Sequence, residues 1–366
     1  MESNNIKNGG INLNTKKYIN NEFYYQQKEK WLHTNDIVMV QSGDVGQTAV
    51  IPSNLNNTAA HALIMFQEID SNINPYFLNY QFQSYRCIKQ IQIISKGNTV
   101  KHVLASDMKE FTVFLASLKE QINVADFLNK LNRIIDLYER KLKLLSQVKK
   151  YFLDNLFTEK EYPNLRFKGF TDAWEQRKLG EIGTTYSGLS GKNKSDFEKG
   201  NSNFITFLEV LNNPVLKNID LTNKVEIKEN EHQNKVKRND LLFNTSSETP
   251  EEVATSTVVD VNQDNLYLNS FCFGFRPNVQ FSNYYIGYYL RSNHFRSRVF
   301  CLAQGISRYN ISKKSLIKLK LSLPKLKEQD KISRIFNQIE LLLTLYENKQ
   351  QHLTEIKKTL LNTMFI

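Results

Sequence analysis

The chain has 366 residues, 40% of them hydrophobic and 23% charged; that length supports two domains with buried cores, and the balance excludes a disordered polymer. Its 48 Lys and Arg against 37 Asp and Glu leave a formal charge of +11, which points to a polyanionic partner or a membrane surface more readily than to a small neutral substrate. The opening MESNNIKNGGINLN lacks the basic-then-apolar pattern of a leader, and no apolar run approaches the roughly 20 residues that span a bilayer, so a cytoplasmic protein without a membrane partner is expected.

Taken in chain order, residues 1–115 read as a strand-led region containing the apolar run NDIVMV (Asn35–Val40). Residues 116–160 change period. Val124, Phe127, Leu128, Leu131, Ile134, Ile135, Tyr138, Leu142 and Leu145 recur every three or four positions, the rhythm of one long amphipathic helix. Residues 161–325 return to short apolar runs, FITFLEV, DLLFN, STVVDV and SFCFGF, divided by polar turns, which predicts a second strand-led domain. Within it NYYIGYYLRSNHFRSRVF (Asn283–Phe300) has helical spacing and a basic face. Residues 326–366 resume the helical rhythm with Ile332, Ile335, Phe336, Ile339, Leu342, Leu343 and Tyr346. The cysteines Cys87, Cys272 and Cys301 stand apart in apolar or aromatic surroundings and read as buried thiols rather than disulfides or zinc ligands.

The two helices are copies of each other. LKEQ occurs at Leu118–Gln121 and again 208 positions later at Leu326–Gln329, and from there to Phe157 and Phe365 the two stretches share 14 identities over 40 ungapped pairs. These include Asn129 with Asn337, Leu137-Tyr138-Glu139 with Leu345-Tyr346-Glu347, Lys149-Lys150 with Lys357-Lys358, and Phe157 with Phe365. Upstream, with a small gap, NDIVMV answers NDLLFN (Asn239–Asn244). The chain is therefore two copies of one unit. An apolar seam of about five heptads needs a partner helix, and repeated associating units commonly pair about a two-fold axis, so the helices are expected to pack antiparallel. At 1.5 Å per residue a helix of about 40 residues is about 60 Å long and would serve as a spacer between two heads. Leu137, Tyr138, Leu345 and Tyr346 are expected in its core, with Lys149, Lys150, Lys357 and Lys358 on its rim.

FTDAWEQRKLGEI (Phe170–Ile182), the loop SGLSGKNKS after it, QGISRYNISKKSLIKLKLSLPKLKEQDKI (Gln304–Ile332) and the ending KKTLLNTMF together resemble the specificity subunit of type I restriction-modification systems, and the resemblance covers essentially the whole chain. It implies an α+β fold of two strand-rich target recognition domains separated by two long helices in an antiparallel coiled coil: domains at 1–115 and 161–325, spacer helices at 116–160 and 326–366. It also implies a non-catalytic reader of a bipartite site in double-stranded DNA. Modification subunits, which carry the S-adenosylmethionine-dependent adenine methyltransferase, would dock on the helices, and restriction subunits would join for cleavage. The physics of the repeat fits: two similar heads on a spacer match half-sites that face one side of a duplex about every 34 Å, and positive charge supplies phosphate attraction. One departure stands out. Met1 falls in register with about Glu209, so the first copy has no counterpart of RFKGFTDAWEQRKLGEI or of its glycine loop. A truncated first domain is expected, with exposed apolar surface and unpaired strand edges.

Several fragments invite an enzyme reading. Asn74-Pro75-Tyr76-Phe77 is one proline short of the Asn-Pro-Pro-aromatic tetrad of amino-methyltransferases and reads as a helix start; Lys192 is not followed by the Ser or Thr of a phosphate-binding P-loop. Glu226-x-Lys228 has the outline of a nuclease site but is a pair that composition alone supplies. No glycine-rich cofactor loop follows a strand, so no cofactor is expected on this chain. The six histidines, His33, His61, His102, His232, His294 and His352, have no ligand spacing.

For DNA contact the candidates are Lys192, Asn193 and Lys194 in the glycine loop, Thr245, Ser246 and Ser247 in NTSSET, and Gln304, Ser307, Arg308 and Tyr309 in QGISRYN, since lysine and arginine suit phosphates or guanine edges and the polar side chains can read bases. A solvated loop is the alternative at each. Arg291, Arg296 and Arg298 are either phosphate contacts or a charged face, and in the first copy Ser42, Lys96, Asn98 and Lys101 fall near the corresponding places. Two rival functions remain: a coiled-coil scaffold that binds modification subunits without reading DNA, favoured by the short first head, and a fused methyltransferase-nuclease.

Overall fold

The computed structural model describes residues 1–365, which form two compact units: Met1–Lys141 with the stretch from Tyr346, and Leu142–Leu345. The division falls inside each of two long helices, Leu118–Asn155 and Leu326–Met364. No helix among the described residues is long and apolar enough to cross a membrane.

In the second unit the central sheet runs Val215–Leu216, Ser256–Val259, Leu241–Asn244, Cys272–Pro277, Gly183–Ser187. It is antiparallel except where Val215–Leu216 meets Ser256–Val259. Leu241–Asn244 and Ser256–Val259 are buried along their whole length because both faces are covered and successive side chains serve different cores. Leu241 and Phe243 join Tyr285, Tyr289 and Phe336; Leu242 joins Ile205, Val210 and Leu268. At the last strand, Gly274 lies opposite Tyr186, and a Cβ there would overlap the tyrosine ring. The Tyr186 hydroxyl donates to Asp240 Oδ2 at 2.6 Å, and Arg276 donates to both oxygens of that buried carboxylate at 2.9 and 2.7 Å. Just upstream, Glu175–Lys178 pairs with Lys320–Leu323, and Trp174 is buried against Tyr285. One segment, Trp174–Ser187, thus covers two strand edges.

The first unit builds the same head with fewer strands. Ile37–Val40 lies between Thr48–Val50 and Leu63–Phe66, sending Ile37 and Met39 toward Leu78, Phe82 and Ile91, and Val38 and Val40 toward Ile6 and Leu32. Asn74 caps the helix Pro75–Phe82, accepting from the backbone of Tyr76 and Phe77 at 3.0 and 3.1 Å, so the Asn-Pro-Tyr-Phe stretch is a helix start. Among the described residues no strand pairs with the far edge of Leu63–Phe66, and none with 112–115, the counterpart of Lys320–Leu323.

Each unit is completed by the tail of the other repeat. In the second unit Phe157, from the first helix, stacks on Phe336 with ring centroids 5.5 Å apart and meets Tyr285. In the first unit its counterpart Phe365 meets Phe77, the counterpart of Tyr285, at 5.0 Å. Other pairs repeat across the units. Gln121 accepts from the Asn74 backbone and donates to the Ala116 carbonyl; Gln329 does the same with Ser282 and Pro324. Lys149 lies over the Tyr288 ring at 5.2 Å, and Lys357 over Tyr80 at 5.8 Å. The helices are antiparallel within each unit: Ala125 and Leu128 lie with Leu361 and Phe365, and Tyr138 faces Tyr346 at 5.6 Å, while Lys149 pairs with Glu340 at 2.6 Å and Phe157 with Phe336.

Several local expectations are corrected. Leu137 and Leu345 are 54% and 45% exposed; the tyrosines beside them make the contact instead. Lys149 and Lys357 roof tyrosines rather than standing free on a rim, and burial lowers the Lys357 ammonium below the ordinary lysine range. Cys87 and Cys272 are buried, the latter's thiol pushed up to about 12 by burial, but Cys301 is exposed just past the helix Asn293–Phe300. The basic helix is two helices, Asn283–Tyr289 and Asn293–Phe300, the second capped by Ser292.

Candidate nucleic-acid interface

Two of the three candidate runs in the second unit meet in space. Ser246 and Ser247 pair antiparallel with Asn310 and Tyr309, and the Ile311 backbone donates to the Thr245 carbonyl at 3.1 Å. The run Gln304–Asn310 closes on itself as a hairpin, Gln304 and Asn310 exchanging backbone hydrogen bonds at 2.9 and 2.8 Å. Its turn needs Gly305: φ is +140°, and a Cβ would strike the Arg308 carbonyl oxygen. Tyr309 packs on the large aromatic core and anchors the base. Gln304, Ile306, Ser307 and Arg308 stand in solvent, Ile306 96% exposed. Ser246 and Ser247 are buried, and the Ser247 hydroxyl donates to Glu252 at 2.7 Å. Those serines therefore hold the hairpin up and leave its tip exposed.

The glycine loop divides in the same way. Lys192 is not free: its side chain is only 4% exposed, donating to the Glu226 carbonyl at 2.6 Å and paired with Glu231. That hydrogen bond holds the Glu231 carboxyl below its ordinary range. Asn193 and Lys194 are exposed beyond this tether. Where the loop leaves its strand, the Ser187 hydroxyl accepts from Lys313 at 2.7 Å, a lysine just past the hairpin. The three arginines of the basic stretch do a structural job. Arg291 donates to the carbonyls of Ser256, Val210 and Asn213, Arg296 to those of Glu251 and Val253, and Arg298 to that of Lys320 while pairing with Glu159. Burial lowers Arg291 and Arg296 to about 10. They are neither a charged face nor free phosphate ligands.

The first unit carries the same hairpin. Lys96 and His102 exchange backbone hydrogen bonds, both 2.8 Å, around Gly97 at φ +106°, where a Cβ would strike the Val100 carbonyl. The Val103 backbone donates to the Gln41 carbonyl at 3.0 Å, and Ser42 Oγ lies 2.6 Å from His102 Nδ1. Lys96 turns back to Asp107 at 3.6 Å, whereas Asn98 and Lys101 are exposed. Residue-type reasoning missed Ile306, Lys313 and His102. The available signal was the repeated glycine, Gly97 and Gly305, standing 208 apart like the helices.

Known proteins bear on this arrangement. The family model described as type I restriction modification DNA specificity domain matches residues 2–147 and again 171–355, one match for each repeat. Among curated proteins the chain is similar to the MjaX specificity subunit of Methanocaldococcus jannaschii, 22% identical over 82% of this chain and 70% of that protein. It is also similar to the MjaVIII specificity subunit of the same organism, 21% identical over 92% of this chain and 80% of that protein. Among solved structures, the type I S subunit from M. genitalium superposes over 100% of this chain and 91% of that one, at a TM-score of 0.58 and 16% identity. A chain from a study of complex assembly and conformational transition of the type I R-M system superposes over 90% of this chain and 81% of that one, at 0.55 and 17%. With two matches that together span most of its length, the chain belongs to the type I restriction modification DNA specificity domain family.

Proposed function

We propose that this chain is the DNA specificity subunit of a type I restriction-modification complex, reading a bipartite site in double-stranded DNA without catalytic activity of its own. The observation that carries the reading is the duplicated hairpin: two heads each present a glycine-hinged, solvent-facing loop of polar and basic residues, Gln304–Asn310 and Lys96–His102. A fixed polar loop is what base-edge readout requires, while Lys194, Lys101 and the net charge of +11 supply salt-dependent phosphate attraction. On this reading the contacts come from Asn193, Lys194, Gln304, Ser307 and Arg308 in the second head and from Asn98 and Lys101 in the first. Lys192, Thr245, Ser246, Ser247 and Tyr309 position them.

Modification subunits dock on the long helices, where Leu137 in the first unit and Leu345 in the second are exposed, and bring the S-adenosylmethionine-dependent adenine methyltransferase; restriction subunits join that complex in the cytoplasm. The test is an N6-methyladenine map of DNA from cells expressing this chain with a cognate modification subunit and no other specificity subunit. A split motif methylated in both halves is expected. A complex that forms but leaves no motif would make the chain a scaffold, and labelled S-adenosylmethionine bound to the isolated chain would contradict a purely recognising role.

A further inference from the structure

The two heads differ at one place that the repeat makes measurable. In the second unit Trp174–Ser187 runs first along Lys320–Leu323 and then along Cys272–Pro277, satisfying both edges. In the first unit the counterparts, 112–115 and Leu63–Phe66, have no such neighbour among the described residues. The side chains there are correspondingly bare. Phe114 is 54% exposed where its counterpart Ser322 is 1%, and Leu115 is 47% exposed where its counterpart Leu323 is half-buried. Leu63, Met65 and Phe66 are half-buried, whereas Cys272, Gly274 and Phe275 are buried. An edge with unpaired N–H and C=O groups next to exposed apolar side chains is a template for an added strand.

We propose that the first unit accepts an extended peptide segment from outside the described residues, which adds to Leu63–Phe66 and to 112–115 as Trp174–Ser187 does in the second unit. The shared register says what that segment must look like. Ile37 pairs with Phe66 as Leu241 pairs with Phe275, so Met65 stands where Gly274 stands. Gly274 is what makes room for the Tyr186 ring, and directly opposed residues share a face. A tyrosine laid across Met65 as Tyr186 is laid across Gly274 would collide with it. The accepted strand therefore carries a small residue at that position, with an aromatic residue upstream to lie near Phe77, the counterpart of the Trp174 partner Tyr285.

The experiment titrates the full chain with a synthetic peptide of the Phe170–Leu189 sequence in two forms, one unchanged and one carrying Tyr186→Gly, while hydrogen exchange is followed at 63–66 and 112–115. The glycine peptide is expected to slow exchange in both stretches and to bind about tenfold more tightly than the tyrosine peptide, the size of an ordinary overpacking penalty. Met65→Gly in the chain is expected to remove or reverse that preference. The proposal fails if neither peptide protects these stretches, if both bind equally, or if protection falls only in the second unit through displacement of its own strand. It fails equally if the edge is already protected in a dimer that dilution releases, which would make a second copy the occupant. Should Met65→Gly not fold, the two peptides on the unchanged chain still decide the matter.

Discussion

The two heads solve the same problem at one buried carboxylate with different parts. Asp36 and Asp240 each follow an asparagine at positive φ, 74° and 71°, and each accepts from the backbone three residues back, at His33 and Lys237. In the second unit Asp240 is also held by Arg276 and Tyr186. In the first, Gln67 takes the arginine's place, donating at 2.9 Å, and among the described residues no tyrosine bonds to the carboxylate. The difference follows from the last strand: where Gly183–Ser187 brings a phenol, the carboxylate is answered by a charge and a hydroxyl; without such a strand it is answered by the Gln67 amide, with the His33 ring 3.7 Å away. Two neighbouring positions differ together, Gly274 against Met65 and Arg276 against Gln67, so the first head holds its carboxylate with its own set of side chains.

Mutations can break that comparison. The largest effect is expected at the exchanged tails. Phe157→Ala removes a ring from a fully buried aromatic cluster and should cost about 4 kcal/mol, and Phe365→Ala, at the smaller cluster with Phe77, about 3 kcal/mol. Denaturant unfolding followed by exchange should place the first loss in the second unit and the other in the first. Gly274→Met copies the first head's residue into the second; because it evicts Tyr186, about 2–3 kcal/mol is expected, and the same assay reads it. Asp240→Asn should cost about 2 kcal/mol through its charge-assisted bonds and Asp36→Asn about 1 kcal/mol, so equal losses would contradict the unequal partnering.

Gly305→Ala and Gly97→Ala strain positive-φ hinges by about 1–3 kcal/mol and should weaken specific DNA binding in a gel shift more than Lys194→Ala, whose effect should fall equally on all sequences. The smallest effect is acid loosening of the Lys192 tether. The Glu231 carboxyl is depressed when folded, so its stabilisation is present above the ordinary glutamate range and is lost as pH falls through the folded value; exchange at 188–196 should quicken there and not at neutral pH.

Sequence made the long-range design legible and the local geometry only partly so. The repeat and its period exposed the helix pair, its antiparallel sense and the paired heads, because identical residues at fixed offset, such as Gln121 with Gln329, do identical jobs. Periodicity failed at Phe127 and Ile134, 51% and 44% exposed, because it counts apolar residues without knowing how wide a face the neighbour covers; repeat identity failed at Leu137 and Leu345 because it marks shared residues without saying which way they face. Residue type failed at Arg291, Arg296 and Lys192 because a cation that satisfies buried carbonyls or a nearby carboxylate looks, in one dimension, like one awaiting a phosphate. Cys301 failed because apolar neighbours in sequence do not bury a helix's outer end. The Asp240 network left one readable trace, the Asn-Asp pair repeated at Asn35-Asp36 and Asn239-Asp240.

The exchange of tails also fixes an order of assembly. Domains usually form as they leave the ribosome, the first-made first. Here the second unit is one continuous stretch, Leu142–Leu345, whereas the first needs Leu361 and Phe365 to cover Phe77, Ala125 and Leu128. At ~5–20 residues per second those late residues arrive on the order of ten to forty seconds after the first helix is made. The first head is begun first and finished last, and through that interval its apolar patch must be kept from other nascent chains.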